Sequence, residues 1–237
     1  EDFASPGGGL IKKGSGTLYI DSSVNLTGPV IVTNGTLAGV GAIVSPVVVG
    51  PAGKIGAGTE DLVGSLFINN TLTIQGGASF RIDKTSGFTS SDSIAGITTV
   101  NYGGTLTITN VTSDATPLAD GDEFALFNAG SHTGNFSSIQ GSPGEGLAYS
   151  FNPANGILRV VTQTVATNPT NITAVVTGNT LKLSWPEDHR GWTLQTNSVG
   201  INASASWFPY PGSAALTNVD ITIDATKTNV FFRLVYP

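Results

Sequence analysis

The chain has no cysteine among its 237 residues. A disulfide framework, a thiolate metal site and a cysteine nucleophile are therefore excluded, because each needs sulfur. Methionine is also missing, even at position 1. Such a chain is expected to be a processed product, after loss of a signal peptide or release from a longer precursor. Charge is scarce. Charged residues make up 11% of the chain, less than half the ordinary share of about 25%. The formal net charge is −6 and the one adjacent basic pair is Lys12-Lys13. No cationic stripe is present to displace counterions from phosphates, which argues against nucleic acid as a partner. Lys12-Lys13 itself reads as a solvated strand end. Long apolar runs are missing too, so no membrane span is expected. The most apolar stretch, residues 40–56, is broken by Pro46, Gly50, Pro51 and Gly53 and reads as short buried strands.

Helical periodicity is nearly absent, and alternation at period two takes its place. It runs through residues 16–20, 29–33, 64–69, 70–75, 78–83, 104–110, 122–128, 147–151 and 157–161, as expected of half-buried strands. Turn signals separate these runs: Thr33-Asn34-Gly35, Gly76-Gly77, Gly103-Gly104 and Ala154-Asn155-Gly156. Gly and Asn serve there because they tolerate positive φ. A degenerate repeat is visible. Gly-(Thr/Ser)-Leu begins at Gly16, Gly35, Gly64 and Gly104, at intervals of 19, 29 and 40 residues, with Asn-Thr-Leu variants at 70–72 and 179–181. The first two intervals suit one coil of a stacked solenoid and the third suits two. The fold class expected for residues 1–163 is therefore an all-β solenoid of stacked, β-helix-like coils, with a plain β-sandwich as the alternative.

Residues 7–37, GGGLIKKGSGTLYIDSSVNLTGPVIVTNGTL, resemble the autotransporter-associated β-strand repeat of bacterial surface passengers. That family reads Gly-Leu-x-Lys-x-Gly-x-Gly-Thr-Leu, then a turn, then a closing Gly-Thr-Leu. Leu10, Lys12, Gly14, Gly16, Thr17, Leu18, Gly28 and Gly35-Thr36-Leu37 match. Leu26 replaces the usual aromatic, and Pro29-Val30 replaces the usual turn sequence. Residues 91–110 resemble the later coils of such passengers, and residues 121–139 resemble the segment that closes them. The resemblance covers about two thirds of the chain and implies coil geometry rather than chemistry. It also implies a secreted, extracellular or cell-surface bacterial protein.

Composition shifts near residues 162–171, where a polar linker (164–170) contains Pro169. All three tryptophans, Trp185, Trp192 and Trp207, lie beyond it. Residues 171–237 resemble a small immunoglobulin-like or fibronectin-III-like β-sandwich. LKLSWP supplies its second strand, with Trp185 inward, GWTLQT its third and VFFRLVYP its last. Similar C-terminal modules occur with the same repeats on secreted proteins of Verrucomicrobia-like bacteria. The module is short for a full set of seven strands.

Candidates for chemistry are few. The two histidines, His132 and His189, fall in different expected domains and read as exposed loop residues. No Gly-x-Ser-x-Gly elbow occurs, so a serine triad has no anchor. The carboxylates Glu60-Asp61, Asp120 with Asp122 and Glu123, and Glu187-Asp188 lack cationic partners for a lyase or glycosidase site. Successive coils are able to bring Asp83 and Asp92 together. Asp120-Gly121-Asp122 lacks the further oxygens of a calcium loop and reads as an acidic turn. Neither a metal nor a cofactor is expected. The Asn-x-(Ser/Thr) sequons read as turn chemistry. Trp207, Phe208 and Tyr210, close together near two prolines, are a possible aromatic binding patch for a sugar or a partner chain.

These observations lead to a non-enzymatic structural subunit of an extracellular filament, appendage or surface scaffold. Its expected partners are copies of itself. The first coil exposes unpaired strand edges, and Leu10, Ile11, Leu18 and Ile20 are the expected head-to-tail interface. Further coils of a precursor, or the segment Glu1–Pro6, are the other covers for that end. The alternative is an adhesin or carbohydrate-binding stalk contacting surface or matrix polysaccharide, which requires Trp207 and Tyr210 to be exposed. A polysaccharide-degrading enzyme ranks below both.

Overall fold

A computed structural model describes residues 8–224, 226–227 and 229–236. The segment Glu1–Pro6, named above as one cover for the first coil, lies outside the described residues. The chain divides into two compact units, Glu1–Thr162 and Gln163–Pro237.

The first unit opens with β1 (Leu10–Lys12), β2 (Thr17–Ile20), β3 (Ser23–Val24), β4 (Val30–Gly39), β5 (Ala42–Ile43) and β6 (Val47–Ile55). It continues through β7 (Ser65–Ile68), β8 (Leu72–Ile74), β9 (Gly77–Asp83), β10 (Ser90–Ser91), β11 (Ser93–Tyr102) and β12 (Thr105–Asn110). It closes with β13 (Glu123–Ala125), β14 (Phe127–Gly134), β15 (Ser138–Gln140), β16 (Leu147–Asn152) and β17 (Ile157–Thr162).

Parallel pairing organises β1–β9, β11, β12, β14 and β15 into three ladders. In one, Leu10 pairs with Val30, Val30 with Val47, Val47 with Leu72 and Leu72 with Val100. In the second, the succession is Leu18, Leu37, Ile55, Ala78, Leu106 and Ile139. In the third, Val24 pairs with Ile43 and Ile43 with Ile68, while Leu66 pairs with Ile94 and Ile94 with Phe127. Each rung keeps an apolar residue on the same row. Strands alternate faces, so these rows line the interior. Val30, Leu37, Ile43, Leu66, Leu72 and Leu106 are completely buried. Full burial of one such side chain contributes about 1.5–3 kcal/mol. Strand β4 serves two ladders because its register against β6 shifts between Val32 and Asn34, turning the chain at a corner.

The repeat is only partly the one that the sequence suggests. Gly16-Thr17-Leu18, Gly35-Thr36-Leu37 and Gly104-Thr105-Leu106 do belong to one ladder. Gly64-Ser65-Leu66 does not: Leu66 stands in the third ladder, against Ile94. The rungs between Leu37 and Leu106 are Ile55 and Ala78, each two residues after a glycine, Gly53 and Gly76. Leu72 belongs to the first ladder, and the Asn179-Thr180-Leu181 variant lies outside the ladders altogether. Glycine is the firmer marker, for a steric reason. A Cβ on Gly35 would lie 2.4 Å from the Gly16 carbonyl oxygen, and one on Gly104 would lie 1.8 Å from that of Gly76. Both also have positive φ, +71° and +66°, which L side chains adopt at a cost.

The two ends of the first unit differ. Strands β1, β2 and β3 each pair with one strand only among the described residues, namely β4, β4 and β5. At the far end β13, β17 and β16 form an antiparallel sheet. Its Phe124, Leu158 and Val160 join the same core as the ladders. Tyr102, Phe127, Phe136 and Phe151 cluster there with ring centroids 5.1–6.0 Å apart.

The second unit contains β18 (Thr173–Thr177), β19 (Thr180–Ser184), β20 (Thr193–Asn197), β21 (Phe208–Pro209), β22 (Asn218–Thr222) and β23 (Phe231–Val235). They form two antiparallel three-stranded sheets, ordered β18-β19-β22 and β21-β20-β23. Strands β18 and β19 form a hairpin through the two-residue loop Gly178-Asn179, with Gly178 at φ +59°. Gly in the first loop position suits the strand twist. Leu183, Trp185, Leu194 and Val219 form the buried core. The expected linker is not a free connector. Within this unit, Ala166 N–H donates to the Asp188 carbonyl, and Trp192 Nε1 donates to that of Ala166. Apart from short 3₁₀ turns, the regular elements of the described residues are all strands, so the chain is all-β.

Candidate assembly interface and aromatic patch

The residues expected at the open end of the first coil divide by face. Ile11, opposite Ile31, is exposed at 54%, and Tyr19, opposite Ala38 in another ladder, at 37%. Leu10 and Ile20 are buried and belong to the core of their own unit, and Leu18 packs against that core half-buried. The alternation that builds the coil is the reason: residues two apart share a face. The side chains of Leu10, Leu18 and Ile20 therefore pack in the core of their own unit. What β1 and β2 leave outward are the side chains of Ile11 and Tyr19, in separate ladders. Leu10 N–H donates to the Pro29 carbonyl. Successive residues of a strand direct their main-chain groups to opposite sides, so the N–H of Ile11 points away from β4.

Lys12 is not the solvated strand end that its sequence suggests. It occupies a row whose next rungs are Val32 and Val49, and it is 7% exposed. Its ammonium donates to the carbonyls of Lys13 (2.9 Å), Gly14 (2.8 Å) and Asn34 (3.3 Å). The alkyl stem fills the row while the charge satisfies turn carbonyls, the two-part behaviour of a long cationic side chain.

The acidic candidates are also built into the scaffold. Asp92 does not meet Asp83. Its carboxylate, 2% exposed, binds Arg81 and accepts from the Gly64 and Arg81 N–H groups. This hydrogen bonding raises the Arg81 pKa above its ordinary value. Asp83 accepts from Thr85 instead. Asp122 binds Lys84 at 2.7 Å and accepts the Ala119 N–H, while Asp120 accepts that of Thr162. No group of three or more His, Cys, Asp or Glu residues is placed to hold a metal among the described residues. Asn110, in a sequon, accepts from both the N–H and the hydroxyl of Thr112, which is turn chemistry.

Both histidines depart from the exposed-loop reading. His132 lies in β14, with Nδ1 2.8 Å from the Tyr102 hydroxyl. Burial raises the pKa of that phenol. His189 is 2% exposed, between Asp188 and the Asn168 carbonyl. Periodicity cannot reveal either role, because each depends on a partner distant in the chain or on an irregular segment.

The aromatic trio does not form one flat platform. Phe208 is 63% exposed on β21. Trp207 is half-buried, with the Arg233 guanidinium 4.4 Å above its ring, a cation–π contact. Tyr210 packs half-buried against the second core. An apolar cleft of about 440 Å³ in this unit is lined by Tyr210, Leu181, Ile221 and Phe232 rather than by Trp207. No family model matches the chain, and no curated protein and no solved structure matches it.

Proposed function

We propose that the chain is a non-enzymatic structural subunit of an extracellular bacterial filament or surface scaffold. The first unit is read as a β-solenoid of the autotransporter-repeat type, and the second as an abbreviated immunoglobulin-like sandwich. Copies join head to tail, through strand addition at the edge formed by β1, β2 and β3. The observation that carries this reading is the strand edge at one end of the unit: β1, β2 and β3 each pair on one side only among the described residues. Free strand edges template pairing with another chain, and a heterologous contact that does not close produces a filament. The interface is chiefly main-chain hydrogen bonding, which suits a chain so poor in charge. The dispersed aromatic trio gives no comparable support to a sugar-binding tip.

Ile11→Pro tests the edge directly. Proline removes an outward N–H while the inward bond of Leu10 to Pro29 stays intact. Under conditions where the unaltered chain sediments as polymer, the variant should remain monomeric with an unchanged β-sheet circular-dichroism spectrum. A folded variant that polymerises normally contradicts the edge.

A further inference from the structure

The imidazole of His189 is held between two oxygens. Nδ1 lies 2.7 Å from Asp188 Oδ1, and Nε2 lies 2.7 Å from the main-chain oxygen of Asn168. A main-chain carbonyl and an ionised carboxylate can only accept. A neutral imidazole carries one N–H, so one of its nitrogens would turn a lone pair toward an oxygen. Only the imidazolium donates to both.

The same residues fasten the start of the second unit. Ala166 N–H donates to the Asp188 carbonyl at 2.7 Å, and Trp192 Nε1 donates to the Ala166 carbonyl at 2.8 Å. Gln163 Nε2 reaches the Glu187 carbonyl at 3.0 Å. The Trp192 ring stands 5.0 Å from the imidazole. We infer that protonated His189 is a clasp holding Gln163–Asn168 on the second unit, and that loss of its proton loosens this segment. The chain passes from the first unit to the second here, so release frees about six residues, ~20 Å when extended.

The charged surroundings are few. Asp188 touches the ring, and its side chain is 63% exposed. Glu187 and Arg190, in the same turn, bind one another, and Glu187 also accepts from Thr217. Tyr236 packs on Trp192. Residues 163–170 carry no ionisable side chain. The bond to Asn168, then that to Asp188, raises the His189 pKa above its ordinary 6.5, against the opposing effect of burial. The clasp is thus fully present below about pH 6.5 and is lost as pH rises through the higher folded-state midpoint.

The test is an imidazole NMR titration of the full chain, with hydrogen exchange at the Ala166 amide followed over the same range. The titration should place the His189 midpoint above 6.5. The Ala166 protection factor should fall as pH rises, by about tenfold in total for each unit by which that midpoint exceeds the ordinary value. Asp188→Asn should move the midpoint back toward 6.5. His189→Phe should leave Ala166 weakly protected at every pH. An unaltered chain with a midpoint at or below 6.5 overturns the inference. So does Ala166 protection that is flat between about pH 5.5 and 8.5 once intrinsic exchange is removed.

Discussion

Arg81 and Asp92 form a two-pronged pair across the first unit. Arg81 Nε lies 2.9 Å from one carboxylate oxygen of Asp92, and a terminal guanidinium nitrogen lies 3.1 Å from the other. Asp92 also accepts the Gly64 N–H at 3.0 Å, so a single carboxylate joins β9 to the start of β7. Breaking a buried pair strands its partner's charge. Asp92→Ala should cost about 3–5 kcal/mol in urea unfolding. A loss below about 1 kcal/mol would mean that the pair behaves as a surface ion pair.

The second ladder makes a prediction about volume. Leu106 is completely buried between Ala78 and Ile139. Its neighbour on one side is only a methyl group, so little nearby bulk can relax into a vacancy. Leu106→Ala should destabilise the first unit by about 2–5 kcal/mol, read as a lower denaturation midpoint. An unchanged midpoint would show that the rung is not packed as described.

Two glycines separate crowding from backbone conformation. Gly104 and Gly146 have similar positive φ, +66° and +70°. A Cβ at Gly104 meets the Gly76 oxygen at 1.8 Å, whereas one at Gly146 meets nothing within 4 Å. Gly146→Ala should cost about 1 kcal/mol, the conformational part alone. Gly104→Ala should cost several times more, or prevent folding, and thermal melts of the two variants compare them directly. Equal losses would contradict the steric account of the stacked turns.

Lys12 yields a prediction about the first coil. Lys12→Met keeps the apolar stem and removes the donors to three carbonyls. The expected loss is about 1–3 kcal/mol, with faster hydrogen exchange concentrated in residues 10–20. Full retention of stability would show that the ammonium is merely solvated.

Much of the scaffold was legible because its rule is local. Alternating Leu18 and Ile20, or Leu106 and Ile108, mark strands whatever their partners are. Ladder membership was less legible, because it depends on which coil lies beneath. Ala78 takes the place that Leu holds in Leu37 and Leu106, and Leu66, with the right motif, stands in another ladder. The candidate interface shows the same division. Among the described residues β1, β2 and β3 pair on one side only, and the direction of each side chain follows from the pleat, which turns Leu10 and Ile20 inward and Ile11 outward. His189 and Lys12 were misread for one reason. A polar residue is expected in solvent until the carbonyls that hold it are known, and those carbonyls carry no sequence signature.

The most direct measurement is negative-stain electron microscopy of the purified full chain, with light scattering over a concentration series. Head-to-tail pairing at the β1–β3 edge predicts regular filaments with an axial subunit repeat, which disappear in Ile11→Pro. A chain that stays monomeric at high concentration would contradict it.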